Sequence, residues 1–352
     1  MSHLQPSAVK NEFGIATLSL GNWREHRLQP RLEAAAKAGY QWIDLFDEFK
    51  SLDMRIACTQ PLRQIEGIKD PAERRASLDL VAKRFPFMRA FDTDLVFMCA
   101  NIRTDRGVTS DLKTVARDLA ELGDMAAAYS RADGGRMIRI GYEGLSWATR
   151  NTWSSSWEAV RFANRPNVGL IIDAFNILAV EFADPYNPAG HGRIYPTLEE
   201  SLQVLAGSLA SLARSVPGEK IFFYQCGDAE LVNPATFLPP ADSKTPALLP
   251  WSRSYRLYPL EQSRGGYMPV ELVTAAVLAT GYAGPISHEV FNSSLNEPGS
   301  DVPDSHATRG IASLETLINA ATNLAPFWSS RRDSETAISQ VTQRLQTKPH
   351  KL

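Results

Sequence analysis

Short apolar runs alternate with longer amphipathic stretches along most of the chain. Runs at 13–20, 42–46, 94–100, 137–143, 168–173, 221–225 and 285–289 are brief and nearly continuous in apolar character. That is the pattern of parallel strands covered on both faces. A shorter, irregular run at 256–260 supplies one more strand, the seventh in chain order. Between the runs, Leu28, Leu32, Ala35 and Ala36 recur at helical spacing and predict a helix that stops at Gly39. A Thr109-Ser110-Asp111 cap precedes Leu112, Val115, Leu119 and Leu122 on one helical face. Further helices are predicted over 70–89, 154–164, 197–216, 269–280 and 306–322, and the Pro-rich segment 233–250 reads as a long loop.

This alternation lacks both GxGxxG and GxxxxGK[ST], which argues against NAD and ATP and favours a closed barrel over an open nucleotide-binding sheet. The expected fold is a single α/β domain, an eight-stranded (β/α)8 TIM barrel over 11–325, with tails at 1–10 and 326–352. Four of the runs end on a polar residue: Glu143, Asp173, Gln225 and Glu289. Ligands of parallel sheets meet the carboxyl ends of strands, so one polar group per strand end predicts one shared site. Three carboxylates and an amide oxygen are hard donors suited to a divalent metal, Mn²⁺ or Mg²⁺.

Composition narrows the partners. A formal net charge of -2 gives no electrostatic ground for nucleic acid or an anionic membrane, and the expected partner is a small-molecule substrate. No apolar run approaches the ~20 residues needed to span a bilayer. The first residues lack the apolar core of a secretory signal. Cys58, Cys99 and Cys226 lie in or beside apolar stretches without metal-type spacing, as reduced core thiols of an intracellular protein do. A cytoplasmic location is expected, although His350-Lys351-Leu352 partly matches a peroxisomal address. A homo-oligomer is compatible with this composition, which sets no oligomeric state.

Several longer stretches carry a family likeness. They include Ile15-Ala16-Thr17-Leu18-Ser19-Leu20-Gly21, Ile43-Asp44-Leu45-Phe46, Gly141-Tyr142-Glu143-Gly144-Leu145-Ser146-Trp147 and Lys220-Ile221-Phe222-Phe223-Tyr224-Gln225. The most specific run from Arg256-Leu257-Tyr258-Pro259-Leu260-Glu261 through Arg264-Gly265-Gly266-Tyr267-Met268-Pro269-Val270, with Trp251-Ser252-Arg253 before and His306-Ala307-Thr308-Arg309-Gly310 after. The chain resembles the xylose-isomerase-like barrels, and among them the 3-dehydroshikimate dehydratases of fungal and bacterial quinate catabolism.

The resemblance implies that Glu143, Asp173, Gln225 and Glu289 hold the metal and that Ser252 and Arg256 contact substrate. It implies a lyase that dehydrates 3-dehydroshikimate to protocatechuate through a metal-stabilised enolate. Arg253 and, less centrally, Arg103 are further candidates for gripping a carboxylate, which Arg does with two parallel hydrogen bonds. Asn101, Asp47 and Glu48 are also placed to face the barrel mouth. One departure matters: bacterial dehydratases of this type carry Asp-x-x-His after the fifth expected strand, whereas here Asp173 is followed by Ala174, Phe175 and Asn176. An amide cannot take a proton as an imidazole can. Asn176 is then expected to orient substrate, with Glu143, Glu289 or His191 as base. His288 is expected to point away from Glu289 towards a helix, and His26 is no stronger a candidate than His191. The same ligand set serves sugar isomerases and epimerases, and a catalytically altered barrel for another polar metabolite is a third alternative.

Overall fold

The computed structural model describes residues 11–46, 55–242, 244–328 and 331–346. Eight parallel strands close into a barrel: β1 Phe13–Ala16, β2 Trp42–Phe46, β3 Arg55–Leu62, β4 Leu95–Cys99, β5 Arg139–Glu143, β6 Val168–Asp173, β7 Ile221–Cys226 and β10 Ile286–His288. The remaining two, β8 Asp228–Ala229 and β9 Arg256–Leu257, form a separate antiparallel ribbon. Outside lie α1 Leu28–Ala38, α2 Pro71–Ala82, α3 Phe85–Ala90, α4 Leu112–Asp133, α5 Trp153–Ala163, α6 Ala174–Glu181 and α7 Leu198–Ser215. Then come α8 Leu249–Ser254, α9 Val270–Ala279, α10 Val302–Leu324 and α11 Arg331–Gln346.

Local chemistry sets the helix ends. Asp70, with Pro71 behind it, accepts from the Glu73 amide, Asp111 from Thr114, and Thr197 from Glu200. Thr152 and Ser155 form a reciprocal capping box at α5. Gly39 closes α1 at a φ of 98°, a left-handed conformation that costs glycine little.

The twofold alternation of each strand divides the core in two. Ile140 and Tyr142 of β5 pack outward among the helices, whereas a Cβ on Gly141 would strike Ile171 inside the barrel. Leu95, Phe97, Cys58, Ile171 and Phe223 fill the barrel interior, and Arg139 lies over Phe222 while pairing with Asp94 at 2.7 Å. Interior positions at the strands' carboxyl ends are polar. The pairing Asp173↔Gln225 and Ser287↔Gln225 sets three of them at one level, and Cys99↔Glu143 sits at another, since Glu143 pairs with Ile171, two residues before Asp173.

Four expectations need correction. Strand β3 was not foreseen, because Arg55, Thr59, Gln60 and Pro61 interrupt its apolar run and its register shifts between Thr59 and Leu62. The segment 256–260 is not a barrel strand: only Arg256–Leu257 is extended, and Leu260 takes a φ of 65°. The helix expected over 70–89 is two helices, parted at Lys83 and Arg84, with Pro86 in the first turn of the second. The region after 325 is not simply a tail: α11 packs on α7, burying Ala337 and Val341, and its Arg344 pairs with the buried Glu271 of α9. The expected tail 1–10 and the terminal His350-Lys351-Leu352 lie outside the described residues, as do Asp47 and Glu48. Among the described residues no helix is long and apolar enough to cross a membrane.

Helix α10 seats against β10 at Gly310, whose carbonyl accepts from His288 Nε2 at 2.9 Å. A Cβ at Gly310 would run into the Tyr40 hydroxyl and come within 3.3 Å of the His288 ring. Gly310→Ala should therefore destabilise the fold by about 1–3 kcal/mol, offset only partly by alanine's helix preference of ~1 kcal/mol. Urea unfolding should show a lower midpoint at unchanged slope; an unshifted midpoint would mean the contact has room to relax.

Candidate active site

Glu143, Asp173 and Glu289 each bring a carboxylate oxygen within 4.8 Å of the others, and all three are buried. Glu143 and Asp173 are the last residues of β5 and β6, and Glu289 directly follows β10. Gln225, in β7, completes the quartet. Its Nε2 donates to Asp44 Oδ2 and to Glu289 Oε1, both at 3.2 Å, and Asp44 also accepts from Ser287 Oγ at 2.9 Å. Those bonds fix the amide and leave Gln225 Oε1 buried with no hydrogen-bond donor among the described residues. A buried acceptor left without a donor is costly. Beside three carboxylates, it fits a hard divalent cation.

Besides the Gln225 amide, two more neutral donors and one cation hold the carboxylates together. Asn176 Nδ2 donates to Asp173 Oδ2 at 2.8 Å and to Glu143 Oε1 at 3.1 Å, while its Oδ1 accepts from the Ser146 amide at 3.0 Å. The Cys99 thiol donates to Glu143 Oε2 at 3.1 Å. Arg256 Nη1 lies 2.9 Å from Asp173 Oδ2 and 3.1 Å from Glu289 Oε2, and its Nε and Nη2 both donate to Ser252 Oγ. Its guanidinium also stacks over Phe175 at 4.0 Å. Burial, reinforced by the negative Glu289 and Asp173, holds the Glu143 carboxyl well above the usual range. Burial likewise pushes Asp173 up to about 6, against the opposing pull of Arg256.

A cavity of about 140 Å³ opens beside this cluster, reaching Glu143, Glu289, Cys99 and Arg256. Ile102, Leu145, Trp147, Leu249 and Phe291 give it an apolar wall, and Arg63, Ser252 and Arg253 a polar one. A larger groove of about 1020 Å³ lies between α7 and α11, remote in the fold from the four oxygen donors. Size does not pick the chemistry here; the carboxylates do.

The structure brings Glu143, Asp173, Gln225, Glu289, Asn176, Ser252 and Arg256 into one constellation, with Arg253 on the cavity wall. Two candidates fall elsewhere. Arg103 pairs with Asp105 at 2.9 Å and with Glu73, so its charge is matched by acids of its own loop and of α2. His191 does not line the cavity; its Nδ1 accepts from the Arg193 amide at 3.1 Å within its own loop. His288 faces α10, as its alternation predicts, and burial lowers its pKa to about 4. His26 bonds the Gly299 carbonyl, and Asn101 is bound to Glu66 as scaffold. Sequence reasoning missed Asp44, Arg63 and Cys99. Asp44 had a visible signal, a lone charge inside the apolar run 42–46; Arg63 follows the strand that went unrecognised.

A family model described as xylose isomerase-like TIM barrel matches residues 32–315. The chain is 29% identical over 349 residues to a protein of Neurospora crassa named 3-dehydroshikimate dehydratase, covering 88% of this chain and 94% of that one. A Pseudomonas aeruginosa protein of the same name is 32% identical over 294 residues, covering 79% of this chain and only 38% of that one. Among solved structures, a xylose isomerase-like TIM barrel/4-hydroxyphenylpyruvate dioxygenase fusion protein is similar with a TM-score of 0.65 at 26% identity. That match covers 97% of this chain and 45% of the other. An IOLI protein with a bound zinc atom shares the fold at TM-score 0.59 and 18% identity, over 89% of this chain and 98% of that one.

The raised pKa of Asp173 has a thermodynamic sign. A carboxyl whose pKa rises from 3.8 unfolded to about 6 folded favours folding below its unfolded pKa and loses that contribution as pH rises through the folded value. Metal-free protein should thus lose stability between pH ~4 and ~6. Added Mn²⁺ should raise Tm more at pH 7.5 than at pH 5, where protons compete for the same oxygens. Thermal melts with chelator and with Mn²⁺ at the two pH values check this; an equal shift at both would sink it.

Proposed function

The chain belongs to the xylose isomerase-like TIM barrel family, and from that premise we propose that it is a metal-dependent hydro-lyase converting 3-dehydroshikimate to protocatechuate. The observation that carries the proposal is four oxygen donors converging beside a small cavity walled by arginines. The names of its relatives at 29% and 32% identity support the same reaction.

A divalent cation held by Glu143, Asp173, Gln225 and Glu289 would supply Lewis-acid polarisation of the substrate ketone. The chain's own residues account for the rest. Arg253 and Arg256, with Ser252, give the cavity the positive wall that a substrate carboxylate requires. The proton next to the ketone passes to a cavity carboxylate, Glu143 or Glu289, and the β-hydroxyl departs with a proton as water. Asn176 takes no proton: its amide donates to Glu143 and Asp173 and so holds two ligand carboxylates in orientation. The apolar wall of Leu145, Trp147 and Phe291 limits water around the reacting ring.

A second reading, a sugar isomerase or epimerase, draws on the same geometry. Both Glu143 and Glu289 reach the cavity, as a proton shuttle between two carbons needs. A neutral sugar would leave the arginine wall without a counter-charge, which favours the dehydratase.

Mn²⁺-loaded protein incubated with 3-dehydroshikimate should develop the ultraviolet absorbance of protocatechuate. Glu289→Ala should lower turnover at least ~100-fold, the scale of a lost base or ligand, and should also lose the metal. Asn176→His separates the readings. Robust wild-type turnover that the variant fails to improve makes a histidine dispensable here. Near-zero turnover that the variant raises sharply means that the natural substrate is another molecule.

A further inference from the structure

Asp44 is a fully buried carboxylate at the centre of β2, and the proposed reaction gives it no part. Among the described residues, the carboxylates close enough to share one ion are Glu143, Asp173 and Glu289, and Asp44 is not one of them. Its Oδ2 instead accepts from Gln225 Nε2 at 3.2 Å and from Ser287 Oγ at 2.9 Å. Asp44 and Ser287 are not on neighbouring strands, because β1 runs between β2 and β10. Gly14 of β1 lets the hydroxyl reach across. It pairs with Ser287 on one side and Trp42 on the other, and a Cβ there would meet Ser287 Oγ at 3.0 Å. A carboxylate is costly to keep away from water, and an apolar residue at 44 would fill the same place without that cost.

An amide side chain has two ends of similar shape and opposite character, an oxygen that accepts and an NH₂ that donates. Which end faces an ion decides whether residue 225 ligates it or repels it. Carboxylate oxygens only accept, so Asp44 Oδ2 and Glu289 Oε1 both require the NH₂ end. Glu289 does not fix that choice alone: it belongs to the ion's own ligand set, and its Oε2 is held by Arg256. Asp44 stands outside that set and makes the same demand with or without an ion. With Nε2 held there, Oε1 is turned away, to where no described residue donates to it.

We infer that Asp44 is a positioning residue: braced by Ser287 across Gly14, it holds the Gln225 amide with its oxygen free to ligate. This rests on the reading of the four oxygen donors as a metal site and is independent of the substrate. It has a specific consequence. Position 225 needs Asp44 only while it is an amide, because a glutamate there carries an oxygen at either end and has no orientation to set.

Mn²⁺ affinity, read from the electron paramagnetic resonance signal of the free ion, tests this without any turnover. Asp44→Ala should weaken Mn²⁺ about 10- to 100-fold, the usual effect of losing the partner behind a ligand. Asp44→Asn keeps one acceptor oxygen and should fall between that variant and wild type. In a Gln225→Glu background the same Asp44→Ala change should leave Mn²⁺ affinity unweakened. A structural role for Asp44, or a general attraction of its charge for the ion, predicts the same loss in both backgrounds. The inference falls on that result, and equally if Asp44→Ala binds Mn²⁺ as wild type does. Should Asp44→Ala fail to fold, Ser287→Ala takes its place, with an expected loss of about 2- to 10-fold, the scale of one hydrogen bond. Unchanged affinity there overturns the inference too. A wild type that binds no Mn²⁺ removes the metal reading as well, whereas binding that is indifferent to Asp44 removes this inference alone.

Discussion

Three carboxylates buried within 4.8 Å of one another are the constraint around which the barrel's upper end is arranged. Like charges that close, away from water, either protonate or must be matched by donors and cations. Four neighbours of the cluster answer that requirement. Arg256 brings a full positive charge, Asn176 and Gln225 bring amide N–H groups, and Cys99 brings a weak thiol donor. The match is incomplete, because Gln225 Oε1 still lacks a partner among the described residues. The charge and the orphan oxygen both call for one more positive centre.

Strand geometry makes the arrangement exact enough to serve. In a parallel barrel, adjacent strands carry side chains inward, so Asp173 of β6 and Gln225 of β7 arrive at one level and the longer Glu143 of β5, paired with Ile171 two residues earlier, joins them without any loop having to place it. The outer shell adds a separate hold. His288 reaches back to Gly310 on α10, which fixes the backbone just before Glu289, and Asp173 caps α6 by accepting from the Phe175 amide at 2.8 Å. Ligand residues on rigid elements keep their geometry better than ligands on loops.

The barrel and its four ligand candidates were legible because they combine two strong signals: a continuous apolar run, and a polar residue where that run ends. Asn176 was legible as a departure from a pattern, but its action was not, since nothing in sequence reveals that its amide bridges Glu143 and Asp173. Strand β3 was hidden by its own composition, with Pro61 removing a ladder donor where the register shifts. Missing it also hid Arg63. Arg103 and Arg253 looked alike as loop charges; only the fold shows that Asp105 and Glu73 neutralise the first and leave the second facing a cavity. His191 failed for a similar reason, because proximity in a loop says little about which way the ring turns.

The seating of α10 on β10 bears on how the sequence can drift. A helix usually tolerates exchange over much of its surface, and α10 has an outward side where that holds. Its inner side does not share this freedom: Gly310 admits no larger residue without displacing Tyr40 and crowding Tyr258 and His288, and Ser313 bonds the Pro259 carbonyl at 2.6 Å. Substitutions there act on the strand whose next residue is Glu289. Variation far from the cavity can thus surface as an altered placement of Glu289, and tolerance along this helix should follow its two faces rather than distance from the cavity.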